Sequence, residues 1–160
     1  MRLMSVRDRL HQLGLALPRP PAMPVTTTFS WVRTLDSRVL VSGHGPQNPD
    51  GSPAGPYGRV PDQVSLEQAK HSARLAALAV IASVEQVIGN LDRIDAWLTV
   101  TGFVQAEPGY DGTTAVLNSF SELVLDVFGE TVGQHARTAI GVAALPLNLP
   151  VVVAAELHTS

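Results

Sequence analysis

The chain has no cysteine. That excludes disulfide bridges, thiolate zinc sites and a cysteine nucleophile, and it fits a reducing compartment. Aromatic residues are scarce, at 5%, and they do not interleave with basic residues, so the stacking platforms that hold single-stranded nucleic acid are missing. Charge is scarce too: Asp, Glu, Lys and Arg make up 16%, and the net charge is -3. Such a balance gives no electrostatic footing for nucleic acid or an anionic membrane. A surface this low in charge suits one partly covered by other subunits, so an oligomer is expected. Long apolar runs are absent as well, since Leu75–Ile81 is followed by Ser83, Glu85 and Gln86. Residues 1–13 are charged throughout and lack the apolar centre of a secretory signal. The expectation is a soluble, cytoplasmic protein. Its five histidines show no metal-ligand spacing such as His-Glu-x-x-His, and no Gly-Lys-Ser/Thr phosphate loop occurs. Neither a metal nor a cofactor is expected.

What is present reads as one domain over residues 1–160, with residues 1–23 as an N-terminal helix and proline-rich lead-in. Ser5 can cap a short helix over 5–13 with Val6, Leu10 and Leu13 on one side. Two strand-like runs follow, Thr26–Arg33 and Arg38–Ser42, joined by a hairpin turn at Thr34-Leu35-Asp36-Ser37. Residues 45–62 are dense in Gly and Pro, a long loop of the kind that is often functional or mobile. Ser65-Leu66-Glu67-Gln68 is a capping box that opens the best helix in the chain. Its apolar stripe runs from Leu66 through Ala69, Ala73, Ala76, Ala77, Val80 and Val84 to Val87 and Ile88, and Gly89-Asn90 ends it. Ile94–Val104 alternates as a strand with Ile94, Ala96, Leu98 and Val100 on one face. A second helix is expected from about Thr113 to Phe128, stopped by Gly129. Strands at Ala136–Val142 and Val151–His158 complete the order β-β-α-β-α-β-β. That order is an α+β layer with two helices on one face of a mixed sheet.

The run Ala136-Arg137-Thr138-Ala139-Ile140-Gly141-Val142-Ala143 places Thr138, Ile140 and Val142 on one face and Arg137, Ala139, Gly141 and Ala143 on the other. A guanidinium above a floor of Ala and Gly leaves room for a small ligand, and its fork of donors matches a carboxylate. A surface arginine, or one paired with an acid at a subunit interface, fits the same pattern. Whatever its role, the small-residue face is expected to meet partner subunits. His44, where a strand enters the Gly/Pro loop, is a candidate proton handler or a loop histidine bonded to a backbone carbonyl.

The order of elements, Val41-Ser42-Gly43 after the hairpin, Gly102-Phe103-Val104 in the third strand and Ala136-Arg137-Thr138-Ala139-Ile140-Gly141-Val142 before Ala144-Leu145-Pro146 resemble the RidA/YjgF family. These are the reactive intermediate deaminases, formerly called L-PSP endoribonucleases. The resemblance runs from about Leu13 to His158. It is strongest to the longer-chain branch, with its Leu13-Gly14-Leu15 and Val127-Phe128-Gly129-Glu130. It implies a chorismate-mutase-like fold, a homotrimer, ligand clefts between neighbouring subunits, and cofactor-free hydrolysis of 2-imino or enamine acids to 2-keto acids and ammonia. The family's carboxylate-holding arginine falls on Arg137, and its serine on Ser42, with Gly43 beside it.

Three positions depart from that pattern. The family's cleft tyrosine is Phe29, the common Gln after Ser42-Gly43 is His44, and the glutamate proposed to orient the attacking water is Val152. Glu156 lies on the same strand face as Val152, but four residues at about 3.3 Å each puts it roughly 13 Å away. The expected site therefore comprises Arg137, Ser42, Gly43, Phe29 and Val152 around the ligand. Proton handling falls to His44, the remaining titratable side chain at those positions. A trimer that binds a carboxylate metabolite without turning it over is the alternative.

Overall fold

A computed structural model describes residues 4–22 and 27–160. Residues 1–3 and 23–26, among them Thr26 where the first strand was expected to begin, lie outside the described residues. The elements are α1 (Val6–Gln12), β1 (Val32–Leu35), β2 (Arg38–His44), α2 (Leu66–Ile88), β3 (Ile94–Gln105), α3 (Thr113–Gly133), β4 (Ala136–Val142) and β5 (Val151–Thr159). The sheet runs β1-β2-β5-β3-β4. Only the β3–β4 pair is parallel, which makes this the mixed sheet of a chorismate-mutase-like fold, with α2 and α3 packed on one face.

Local signals in the sequence have clear structural outcomes. Ser5 and Ser65 cap α1 and α2, and the capping box at Ser65 is complete: Ser65 Oγ accepts from the Gln68 amide while Gln68 Oε1 accepts from the Ser65 amide. α2 has the length and apolarity of a membrane-crossing helix, which the reading of its polar interruptions missed. Those apolar residues face the sheet and α3 instead: Ala69, Ala73, Ala76, Val80, Ile81 and Val84 are fully buried. Val87, assigned to the stripe, is exposed. α3 breaks at Gly129, whose φ of 77° few side chains tolerate, and then resumes for one short turn. The hairpin between β1 and β2 closes through Asp36, itself at φ 52°.

β1 is shorter than expected, because the chain bends at Thr28, Phe29 and Trp31 ahead of it. The larger corrections come from β-bulges. On β3 the pairing with β5 slips between Ile94 and Ala96 and again between Trp97 and Thr99. An extra residue on one strand shifts all that follow it by one position, so the faces exchange. The inward residues are therefore Ile94, Trp97 and Val100 rather than Ile94, Ala96, Leu98 and Val100. Trp97 is 2% exposed and Leu98 40%. A third bulge, on β2 between Val41 and His44, brings both of these residues to the helix side.

The alternation in β4 is as expected, but its small-residue face turns the other way. Arg137, Ala139 and Gly141 pair with Val100, Gly102 and Val104 of β3, which face the helices. Ala139 packs on the core, and a β-carbon on Gly141 would meet Ala106 and Thr113. Ala139 therefore packs beneath α3 of the same chain, whereas Gly141 and Ala143 are exposed along an open cleft with Arg59 and Tyr110. Thr138, Ile140 and Val142 occupy the opposite, helix-free side with Leu40, Phe103 and Val152.

Candidate functional site

The residues singled out in the sequence fall into two clusters. The first is a cavity of about 220 Å³ at the end of the sheet, lined mainly by apolar side chains. Phe29, Trp31, Gly43, His44, Leu149 and Val152 contribute to it, as do prolines of the 45–62 loop. That loop is pinned rather than loose. Gln47 donates to the Arg19 carbonyl, Ala54 donates to the Pro46 carbonyl, and Val60 exchanges backbone hydrogen bonds with Gln105 and Glu107. Trp31 meets Phe29 edge-on at 5.0 Å between ring centroids and His44 at 5.2 Å.

His44 forms part of the wall of this cavity and is 1% exposed. Its Nδ1 lies 2.6 Å from the Ser42 carbonyl and its Nε2 lies 2.8 Å from Ser83 Oγ on α2. A carbonyl only accepts, which assigns the ring proton to Nδ1 and makes Ser83 the donor to Nε2. Burial holds the pKa below the usual histidine value, against the smaller opposing effect of the Ser42 bond. The sequence offered His44 as a proton handler at the cleft mouth or as a loop histidine bonded to a backbone carbonyl. The second contact is the one present, and the β2 bulge turns the ring towards α2 with both nitrogens engaged.

Ser42 is similarly occupied: its Oγ donates to the Ser30 carbonyl at 2.7 Å, and its amide donates to the Trp31 carbonyl. Glu156 makes a two-pronged pair with Arg38 at 2.9 and 3.0 Å, so it does not stand in for the missing acid at Val152.

Arg137 belongs to the second cluster, with Ser121, Leu125, Gln134 and His135 around an open cleft of about 300 Å³. Its Nη1 donates to Ser121 Oγ at 3.0 Å and its Nη2 to Asn118 Oδ1 at 2.9 Å. Asn118 and Ser121 are three residues apart on α3 and thus share a face, which is the face that meets β4. Both partners are neutral. Among the described residues no carboxylate pairs with Arg137, although partial burial disfavours its charge. A charged fork, braced by two neutral oxygens and open to a cleft, is suited to bind an anion. His135 sits on the same side, its Nε2 2.8 Å from Ser121 Oγ and its Nδ1 2.7 Å from the Gly133 carbonyl. Sequence reasoning left Ser121 out. The signal for it was the spacing Asn118-x-x-Ser121 opposite His135-x-Arg137.

The two clusters share no lining residue, and Arg137 and Val152 lie on opposite faces of the sheet. Within one chain the two clusters are therefore separate.

No family model matches the chain. It is 35% identical over 148 residues to Protein TCP17 of Trypanosoma cruzi, across 92% of this chain and 90% of that one. Among solved structures, Atu1372 of Agrobacterium tumefaciens, of unknown function, superimposes with a TM-score of 0.86 at 30% identity, across 98% of this chain and 94% of that one. The YjgF gene product of E. coli shares the fold at a TM-score of 0.59 and 21% identity, across 88% and 92% of the two chains. With the mixed sheet, the paired helices and the cleft at Arg137 in place, these likenesses show that the chain belongs to the RidA/YjgF family.

Proposed function

We propose that this protein is a homotrimer that binds a small carboxylate-bearing metabolite in clefts between subunits and hydrolyses 2-imino or enamine acids to 2-keto acids and ammonia. The observation that carries the reading is Arg137, a guanidinium held by Ser121 and Asn118, with no carboxylate partner among the described residues, at the rim of an open cleft. Placing the apolar cavity at Phe29, Gly43 and Val152 of one subunit against Arg137 of the next would unite the two clusters. The helix-free sheet face supports such an assembly: Ile140 is 42% and Leu40 36% exposed there, and a broad apolar sheet face favours cover. In this arrangement Arg137 holds the carboxylate and draws electron density from the adjacent imine carbon, while His44 and Val152 shape the wall that receives the rest of the ligand.

The test is calorimetry with 2-keto acids on wild type and Arg137→Ala, beside a coupled assay for ammonia release. A charge-assisted bidentate pair contributes about 1.5–3 kcal/mol, so the substitution is expected to weaken binding roughly ten- to a hundredfold. Equal affinities would remove Arg137 from the site. A second reading, a carboxylate-binding protein without turnover, is favoured by Val152 and Phe29 standing where the family has Glu and Tyr. Binding with no ammonia release above the buffer rate would select it.

A further inference from the structure

We propose that Ser121 and His135 form the proton relay of the site anchored by Arg137. The proposal rests on the hydrolase reading above and assigns the base that Val152 does not provide.

The geometry is a chain of three short contacts. The Gly133 carbonyl, 2.7 Å from His135 Nδ1, accepts that nitrogen's proton and assigns the tautomer. Nε2 is left as an acceptor, so the hydroxyl 2.8 Å away on Ser121 donates to it. The same oxygen accepts from Arg137 Nη1 at 3.0 Å. A serine hydroxyl is thus drawn from both sides, its proton towards an imidazole and its lone pair towards a guanidinium. This is the arrangement by which a neighbouring base activates a hydroxyl. All three side chains line the open cleft. Behind the imidazole stands Trp97, with ring centroids 6.4 Å apart and the indole buried. Burial first, and the Arg137 charge after it, hold the His135 pKa below its ordinary value, with the Gly133 bond acting the other way. The ring is therefore neutral, and able to accept a proton, at pH 7.

The chemistry balances with water alone. The ligand carboxylate sits on the outer N–H groups of Arg137, and a water hydrogen-bonded to Ser121 faces the imine carbon. The water oxygen bonds to that carbon while the C=N electron pair moves to nitrogen. The water proton passes to Ser121 Oγ as the serine proton passes to His135 Nε2. The imidazolium, disfavoured beside Arg137, then returns its proton through Ser121 to the amine nitrogen. The C–N bond breaks, the carbon–oxygen double bond forms, and the remaining hydroxyl proton leaves with ammonia as ammonium. The sum is one iminium acid and one water giving one 2-keto acid and one ammonium ion.

The test uses the full chain, with 2-imino acids generated in place by an amino-acid oxidase and ammonia release followed beside 2-keto acid calorimetry. His135→Ala should lower kcat by about 10² with affinity nearly intact, and added imidazole should restore part of the rate. His135→Gln, which keeps more of the packing, should show the same loss, and Ser121→Ala should lose rate without responding to imidazole. Wild-type rates in both His135 variants overturn the relay and leave the hydrolase reading standing. Loss of rate that follows loss of binding, with no imidazole response, also overturns it. A wild type that binds 2-keto acids but shows no rate above buffer overturns the relay and the hydrolase reading together. A wild type that binds none overturns the carboxylate site itself.

Discussion

Gly43 lies so close to Val152 that a β-carbon built on it would stand 2.7 Å from Val152 Cγ1. The contact joins β2 to β5 at the floor of the apolar cavity, within the bulge that turns His44 inward. Valine is stiff at χ1, so it yields only by changing rotamer or moving its backbone. Gly43→Ala should therefore cost about 1–3 kcal/mol, the usual range for added volume in a packed site. Urea unfolding of the two proteins measures it. A variant as stable as wild type would mean that this floor is looser than the geometry states.

Replacing Val152 with the family acid tests what its loss has done. Val152→Glu puts a carboxyl beside Phe29, Leu149 and Trp31 in a lining with few polar partners. Burial raises a carboxyl's pKa and makes it a better base near neutrality. The expected outcome is faster 2-imino acid hydrolysis together with a stability loss of about 1–3 kcal/mol. An unchanged rate in the ammonia assay would show that the reacting carbon does not approach this wall.

Acid should destabilise the fold through two histidines. His44 and His135 both have pKa values pushed below the ordinary figure, chiefly by burial. The unfolded chain, with histidines near the usual value of about 6.5, takes up protons that the folded chain refuses. The stability they contribute is thus fully present above about pH 6.5. It is lost as the pH falls from there towards the folded-state values, with a slope of at most about 1.4 kcal/mol per pH unit for each group. Denaturant unfolding at pH 7.5 and 5.5 should show the fall, and His44→Gln should flatten it. An equal slope in the variant would exclude His44 as a source.

Much of the fold was legible because its signals are local. A capping box at Ser65 and the period-two alternation of β4 act within a few residues, and each sits where the sequence placed it, while the stop expected at Gly129 is a break from which α3 resumes to Gly133. The bulges left no such mark. One extra residue in β2 or β3 exchanges the faces of all that follows, and nothing near Trp97 or His44 announces it. For the same reason β4 divides into the two faces expected of it, but Ala139 has α3 of its own chain as a neighbour. Gly102 lets α3 lie close over β3, since an added β-carbon there would clash with the Leu117 side chain. Arg137 was found by its contrast with small neighbours. Ser121 escaped notice because a serine on a helix has no pattern until the opposite strand is in place.

The exposed face of the sheet gives the last prediction. Thr138, Ile140 and Val142 of β4 lie on the helix-free side with Phe103 and Val152, and no element of the same chain packs over them among the described residues. If three copies bring these faces together, a charge at Ile140 is trapped in an apolar contact without a partner, which costs several kcal/mol per ion. Ile140→Glu should then fall from trimer to monomer in light scattering at micromolar concentration, while its circular dichroism stays that of the folded chain, because Ile140 is outside the core. The monomer should also lose 2-keto acid affinity, since the cavity at Phe29 and the cleft at Arg137 would no longer meet. A variant that stays trimeric would move the interface elsewhere. A monomer that binds as tightly as wild type would place the whole ligand site within one chain.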